Sequence, residues 1–194
     1  KNTTEQESTT EQKSDENDLY SAEEVPGELN QVDTDVIKVL TENGTSDGSA
    51  ISLQTLGSDL SASWRFDRVG KDKNGTFFKL VNAQSGRLLT PRNYNESAGT
   101  DVILYGSESA KSQHWYVVPV EQDHLGNDLY YKIVNYSDPS LALTQGTSGM
   151  TLAKYTEDEN QLWLLNADGL QDTALMITRV TLRQGTLVAC SARL

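Results

Sequence analysis

The sequence is poor in cysteine, in long apolar runs and in clustered basic charge, and each shortage excludes a class of protein. Its single cysteine, Cys190, cannot form an internal disulfide, which excludes a disulfide-stapled scaffold. No segment approaches the roughly eighteen unbroken apolar residues that a membrane helix needs. The formal net charge is −12 and no basic stripe is present. We therefore expect neither nucleic acid nor membrane insertion among its interactions.

Groups that would support catalysis are equally sparse. The only histidines, His114 and His124, form no zinc or catalytic signature. Residues 44–48, "GTSDG", match the G-x-S-x-G pattern, but they lie in a polar turn between two predicted strands instead of a strand–turn–helix. No two carboxylates are paired as a glycosidase would require. We predict no enzyme, no catalytic residue, no metal ligand and no cofactor.

The acidic charge is concentrated at the beginning of the chain. Residues 1–28 carry nine acidic residues against two lysines. Residues 1–24 contain too few apolar side chains to offset the entropy of ordering a backbone, so we predict a disordered acidic polar tail. Tails of this composition often lie between an export signal and a first folded domain, which favours a secreted or cell-surface protein.

What the sequence does contain is an internal repeat. The three tryptophans, Trp64, Trp115 and Trp163, are separated by 51 and 48 residues. Upstream of each lie similar short apolar runs, such as "FFKLVN" before Trp115 and "YYKIVN" before Trp163. A Leu-Thr pair recurs in all three copies, at Leu40-Thr41, Leu89-Thr90 and Leu143-Thr144.

Each copy is typical of four short strands separated by Gly, Asn, Asp and Ser turns. Three copies predict twelve strands around a pseudo-threefold axis, forming a capped barrel. The opening strand of the first copy is expected near Gly27–Val32. Residues 169–194 match no part of the repeat. They could form an added hairpin turning at Arg183–Gly185, begin another segment, or be an expression-derived tail.

Three motifs recur with the repeat: "S-G-(R/K)-x-L" after the first strand, "G-x-x-V-x-L-aromatic" on the third and Gln-x-Trp on the fourth. Over about residues 25–168 they resemble the ricin-B-type β-trefoil lectin domain, which is also the fold of the family 13 carbohydrate-binding modules. The resemblance implies an all-β fold, a β-trefoil of three four-strand repeats at about 25–70, 71–120 and 121–168. The chain would then divide into the tail, the trefoil and an extension over 169–194.

The resemblance also implies where sugars bind. Each competent lobe of such lectins offers an aromatic residue at the end of the third strand, a polar residue after the second strand, usually Asp, and an Asn near Gln-x-Trp. The tryptophan itself belongs to the core. Transferred to this sequence, the third copy matches best and the second follows. The predicted sugar-binding residues are Tyr155, Asn160, Gln161 and Thr144 in the third copy and Tyr105, Gln113 and Thr90 in the second.

The first copy departs furthest from the family pattern, with Gln54 where an aromatic residue belongs and Ala62 in place of Gln. No copy keeps the usual Asp, since Thr41, Thr90 and Thr144 stand there. The predicted function is a non-catalytic carbohydrate-binding module that takes glycans, either galactose-type sugars or a plant or host polysaccharide. It would form part of a larger multidomain protein. The alternative is a β-trefoil that binds protein or serves as a spacer after losing sugar binding.

Overall fold

The computed structural model describes residues 38–167 and 174–179. This part of the chain contains twelve short strands and four single-turn 3-10 helices joined by loops. The strands are β1 Lys38–Glu42, β2 Ile51–Thr55, β3 Trp64–Asp72, β4 Gly75–Asn82, β5 Leu88–Pro91, β6 Asp101–Tyr105, β7 Trp115–Gln122, β8 Asp128–Asn135, β9 Leu141–Gln145, β10 Met150–Lys154, β11 Trp163–Ala167 and β12 Ala174–Arg179. The 3-10 helices are Leu60–Ala62, Arg92–Tyr94, Lys111–Gln113 and Glu159–Gln161. The predicted tail, the predicted strand at Gly27–Val32 and the turn at Arg183–Gly185 lie outside the described residues.

Six strands close into a barrel and three hairpins cap it. Antiparallel pairing runs around the ring from β3 to β4, β7, β8, β11, β12 and back to β3. Three hairpins, β1–β2, β5–β6 and β9–β10, pair internally. Each joins the ring through its first strand, which pairs with β12, β4 and β8 respectively. Lobe 1 comprises β12 with β1–β3, lobe 2 comprises β4–β7, and lobe 3 comprises β8–β11. The arrangement is the predicted β-trefoil of three four-strand lobes.

The three tryptophans are core anchors, as predicted. All three are fully buried. Each indole Nε1 donates a hydrogen bond to the leucine of its lobe's Leu-Thr pair, Trp64 to the Leu40 carbonyl at 2.8 Å, Trp115 to Leu89 at 3.0 Å and Trp163 to Leu143 at 3.3 Å. A buried indole N–H therefore has a partner in every lobe, and the same bond fixes the fourth strand against the second.

Local sequence explains the hairpin that joins lobes 1 and 2. The turn between β3 and β4 is Lys73-Asn74, and Gly75 follows it as the first residue of β4. The Asp72 carboxylate accepts a hydrogen bond from the Asn74 amide at 2.9 Å. Gly75 has φ of 129°, a conformation that residues with a Cβ rarely adopt. The turn therefore reverses the chain directly into β4.

Strand β12 occupies the first-strand position of lobe 1, which corrects the prediction that residues 169–194 lie outside the repeat. Strand β12 pairs with β11 of the preceding lobe over five residue pairs, and with β3 and β1 of its own lobe. In the same way β4 pairs with β3 of the preceding lobe and with β7 and β5 of its own. Arg179 lies opposite Trp163 as Asn82 lies opposite Trp64. Fully buried Ile177 therefore corresponds to Leu80. The boundary at residue 168 excludes a strand that closes the barrel.

Candidate functional site

The Gln of the Gln-x-Trp motif ties lobe 2 together from inside. The Gln113 side-chain amide donates to Thr90 Oγ1 at 3.1 Å and to the Gly106 carbonyl at 2.8 Å, and its Oε1 accepts from the Glu108 amide at 2.8 Å. Thr90 Oγ1 in turn donates to the Leu88 carbonyl at 2.9 Å. Both side chains are almost fully buried. Their polar atoms therefore stabilise the lobe internally.

Lobe 3 repeats this arrangement residue by residue. The Gln161 amide donates to Thr144 Oγ1 at 3.0 Å and to the Lys154 carbonyl at 2.9 Å, and its Oε1 accepts from the Thr156 amide at 2.8 Å. Thr144 Oγ1 donates to the Ala142 carbonyl at 2.9 Å. In lobe 1, Ala62 replaces the Gln and this connection is not made.

The two threonines and two glutamines of these networks are too buried for the sugar contact predicted for them. Direct sugar contact was expected of Thr90, Gln113, Thr144 and Gln161, yet their exposed fractions are 1%, 0%, 6% and 2%. A ligand arriving from solvent does not reach side chains that lie beneath the surface with their polar groups already paired. The structure therefore gives them a supporting role in place of direct contact. The remaining predicted residues, Tyr105, Tyr155 and Asn160, are partly exposed.

Tyr105 and Tyr155 do not occupy equivalent positions, although the sequence alignment placed them together. In β6, Tyr105 pairs with Leu88, one residue before the leucine that binds the lobe's tryptophan. In lobe 3 the leucine that binds the tryptophan is Leu143, and the residue before it is Ala142. Ala142 pairs with Ala153 of β10. The counterpart of Tyr105 in lobe 3 is therefore Ala153.

The glutamine contacts lead to the same register. Gln113 and Gln161 donate to the carbonyls of Gly106 and Lys154, which are consequently equivalent. The next residue in lobe 2 is Ser107, and it corresponds to Tyr155. Matching the two tyrosines by their distance from Gly99 and Gly149 was wrong, because lobe 2 has two more residues between this glycine and the equivalent leucine, Leu104 in lobe 2 and Leu152 in lobe 3.

Tyr155 lies half-buried against the outer wall of lobe 3. The Lys132 ammonium stands 4.3 Å from the centre of its ring, a cation–π contact. The ring packs against the apolar cluster that contains Tyr130 and Leu162, and burial, followed by the nearby Glu157 charge, raises the pKa of the Tyr155 hydroxyl. That hydroxyl is buried and has no partner in the described part of the chain. Little of the ring is therefore free to stack on a ligand in this conformation.

Asn160 also faces the protein more than the solvent. Its side-chain amide donates to the Gln145 carbonyl at 3.4 Å, while its Oδ1 is buried with no partner among the described residues. Asn160 and Tyr155 are both in lobe 3, but the contacts of each are with the protein itself. The sugar-binding role predicted for them stays a prediction.

A different set of side chains meets on the surface of lobe 2. The rings of Tyr94 and Tyr105 lie 5.9 Å apart at 79°, edge to face, and Tyr94 is 37% exposed. Tyr94 follows Asn93, and both have φ of 56°. Two consecutive non-glycine residues with a left-handed backbone are unusual, since this conformation crowds the Cβ atom. This tight turn places the Tyr94 ring beside Tyr105.

Charged groups surround this aromatic pair. Asp47, from the loop between β1 and β2, accepts hydrogen bonds on Oδ1 from Arg87 Nε at 2.8 Å and from the Gly106 amide at 2.9 Å. Burial raises the pKa of the Tyr94 hydroxyl, with smaller contributions from Glu108, Tyr105 and Asp47. We call these five residues the lobe-2 notch: Asp47, Arg87, Tyr94, Tyr105 and Glu108.

Of the notch, sequence reasoning anticipated only Tyr105. Tyr94 lies in the loop "PRNYNES", where no pattern indicates that the ring folds back toward the neighbouring strand. Asp47 belongs to lobe 1 and reaches lobe 2 across the lobe boundary. Its place in "GTSDG" matches only a nucleophile pattern, and its proximity to Gly106 depends on how the two hairpins pack.

Within residues 38–167 and 174–179, no group of three or more His, Cys, Asp or Glu side chains is arranged to hold a metal ion. No helix in that part of the chain has the length and apolar character to cross a membrane.

Comparisons with known proteins agree with this architecture. Residues 60–152 match the family model described as "Ricin-type beta-trefoil lectin domain-like". No curated protein matches the chain.

Three solved structures are similar to the chain. A designed threefold-symmetric protein, ThreeFoil, is 26% identical with a TM-score of 0.54, covering 66% of this chain and 94% of its own. An exo-beta-1,3-galactanase from Clostridium thermocellum is 19% identical with a TM-score of 0.51, covering 75% of this chain and 30% of its own. The agglutinin of Rhizoctonia solani is 15% identical with a TM-score of 0.50, covering 73% and 87%.

The designed protein and the two natural ones share the trefoil fold with this chain. The resemblance drawn from the Gln-x-Trp repeats is confirmed. Residues 60–152 match the ricin-type β-trefoil lectin-like family, and the trefoil fold itself includes all three lobes.

Proposed function

We propose that this domain is a non-catalytic carbohydrate-binding module whose main site is the lobe-2 notch. The observation that carries the proposal is the exposed aromatic corner of Tyr94 and Tyr105 beside two carboxylates and a guanidinium. A sugar ring has a flat face of C–H groups that stacks on an aromatic side chain, while its hydroxyls need donors and acceptors. The notch offers both on one surface.

Asp47 gives the notch a fixed acceptor although no lobe keeps the Asp usual in the family. Its Oδ1 is held by the Gly106 amide and Arg87, while the side chain remains 47% exposed. A carboxylate positioned in this way can accept hydrogen bonds from ligand hydroxyls without first losing its own rotamer freedom. An acid from lobe 1 thus substitutes for the missing acid of lobe 2.

Lobe 3 supplies the second proposed site, around Tyr155 and Asn160. Binding there requires the Lys132 ammonium to move off the Tyr155 ring. Each site is shallow and buries little ligand area, so a single site binds weakly. Useful avidity would come from two lobes engaging one glycan, or from a multidomain parent at the cell surface or outside the cell.

Glycan-array binding followed by titration calorimetry tests this proposal. Tyr105→Ala and Tyr94→Ala each remove one wall of the aromatic corner, and we expect the Kd to rise at least about tenfold, or about 1.4 kcal/mol. Asp47→Asn should weaken binding similarly. Asp67→Asn is the matched control, because Asp67 also pairs with an arginine, Arg65 at 2.6 Å, but lies outside the notch.

Tyr155→Ala reports on the third lobe in the same assay. If no glycan binds, or if all the notch variants and Tyr155→Ala bind like the unaltered protein, the proposal is wrong. The threonines in all three acid positions would then favour the alternative, a trefoil that binds protein or acts as a spacer. Circular dichroism of each variant separates lost binding from lost folding.

A further inference from the structure

The three capping hairpins differ in length, and this breaks the threefold symmetry of the cap. The loop joining β1 to β2 covers residues 43–50 and the loop joining β5 to β6 covers residues 92–100, whereas the loop joining β9 to β10 covers only residues 146–149. In this short loop the Gly146 amide donates to the Gly149 carbonyl at 2.8 Å. Lobe 3 therefore turns back sooner than its counterparts.

The two long loops each bond to the next lobe. From lobe 1, Ala50 bridges Ile103, and the Leu104 amide donates to the Ser49 carbonyl at 2.9 Å. From lobe 2, the Leu152 amide donates to the Thr100 carbonyl at 2.8 Å. Among the described residues no backbone hydrogen bond links the short loop of lobe 3 to β2 of lobe 1. Backbone hydrogen bonds therefore join the hairpins on two sides of the cap and not on the third.

A cavity of about 220 Å³ occupies this region, between all three lobes. Its floor consists of Ile51, Val102 and Met150, which hold equivalent positions in the three hairpins and are almost fully buried. The cavity therefore lies at the pseudo-threefold axis and does not overlap the residues of the lobe-2 notch. We call it the axial cavity.

The walls of the axial cavity are polar and balanced in charge. Thr147, Ser148 and Thr151 contribute hydroxyl groups from lobe 3. Arg92 and Asp101 form an ion pair at 3.2 Å that lines the side contributed by lobe 2. An apolar floor beneath hydroxyl, carboxylate and guanidinium groups presents a hydrophobic surface and hydrogen-bonding partners of both kinds to one small ligand.

We infer that the axial cavity is a third binding site, independent of the lobe-2 notch and of the lobe-3 site, for a neutral polyhydroxylated ring such as a single pyranose residue. The apolar floor would face the C–H side of the ring, and the wall hydroxyls with the Arg92–Asp101 pair would bond its hydroxyl groups. Because the two charges lining the wall are opposite, the site does not favour a charged ligand. It goes beyond the proposed function, since its lining includes neither the notch residues nor Tyr155 or Asn160.

The test is a titration of the full chain, labelled with ¹⁵N, with glucose, galactose, mannose, N-acetylglucosamine and myo-inositol. We expect at least one of them to shift the amide signals of residues 146–151 and Ala50 saturably. Ala50→Trp places a large side chain at the exposed edge of the cavity, and Asp101→Asn removes an acceptor without changing the size of the side chain. Each should weaken this binding at least about tenfold.

Glu96→Gln is the matched control, because Glu96 is an exposed carboxylate of the 92–100 loop that does not line the cavity, and it should leave the titration unchanged. The inference is overturned if none of the five compounds shifts these amides, or if the shifts persist with the same Kd in both Ala50→Trp and Asp101→Asn. Shifts confined to Tyr94, Tyr105 and Gly106 would support the notch and refute the axial site. Shifts confined to the cavity would do the reverse.

Discussion

Replacing Ile177 by alanine tests whether the strand from residues 174–179 is part of the barrel core. Ile177 is fully buried and holds the position of Leu80 and Ile133 in the other two lobes. Truncation of such a residue removes burial and leaves a cavity, at a cost of about 2–5 kcal/mol. With an m-value of about 2 kcal/mol/M, the urea midpoint should fall by about 1–2.5 M. Leu80→Ala and Ile133→Ala should lower it comparably.

The neighbouring Met176 provides the control. It is half-buried and corresponds to Lys79 in lobe 2 and Lys132 in lobe 3, so Met176→Lys should change the free energy of unfolding by less than about 0.5 kcal/mol. Fluorescence-detected urea unfolding of the four variants measures all of these effects. If Ile177→Ala leaves the midpoint unchanged while Leu80→Ala lowers it, β12 is not the first strand of lobe 1.

Two other variants check the interior of lobes 2 and 3. Burial, reinforced by the Lys79 and Lys111 charges, lowers the pKa of His114, so the folded state favours the neutral ring. The unfolded chain binds this proton near its ordinary pKa, about 6.5, and stability should therefore fall as the pH drops from 7 to 5. His114→Gln should flatten this part of the stability profile measured by urea unfolding, and an unchanged slope would contradict the assignment. Gln161→Leu leaves the Thr156 amide and the Lys154 carbonyl without their side-chain partner. It should cost about 1–3 kcal/mol in thermal unfolding, and a neutral result would show that water or backbone movement replaces the lost bonds.

The trefoil could be predicted because its core repeats identical chemistry. A tryptophan and a Leu-Thr pair recur in each lobe, and both make the same hydrogen bonds every time. The strand β12 escaped prediction since it lies after lobe 3 in the chain. Where the other lobes have Val-Asn at its end, it has Thr178 and Arg179. A buried strand is defined mainly by its apolar face, and the polar Thr178 and Arg179 shorten the apolar pattern of this strand.

The candidate site was less predictable than the fold, for two physical reasons. The register between Tyr105 and Tyr155 depends on which residues pair in each hairpin. A two-residue difference between Gly99 and Leu104 in lobe 2 and Gly149 and Leu152 in lobe 3 hides this register from a match counted forward from the glycines. The notch itself joins Asp47 of one lobe to Arg87 of the next. Such a contact arises from hairpin packing, which local sequence patterns do not encode.

The pairing of β12 with β1 has a mechanical consequence. Val39 lies opposite Thr178 in an antiparallel pair, so the points where the chain enters and leaves the described domain, at Lys38 and Arg179, are side by side. A force applied between these two points would act first on the single Val39–Thr178 pair, instead of shearing a whole ladder at once. The domain should therefore open at low force from this seam, while the remaining hairpins stay folded until the barrel ring itself is broken.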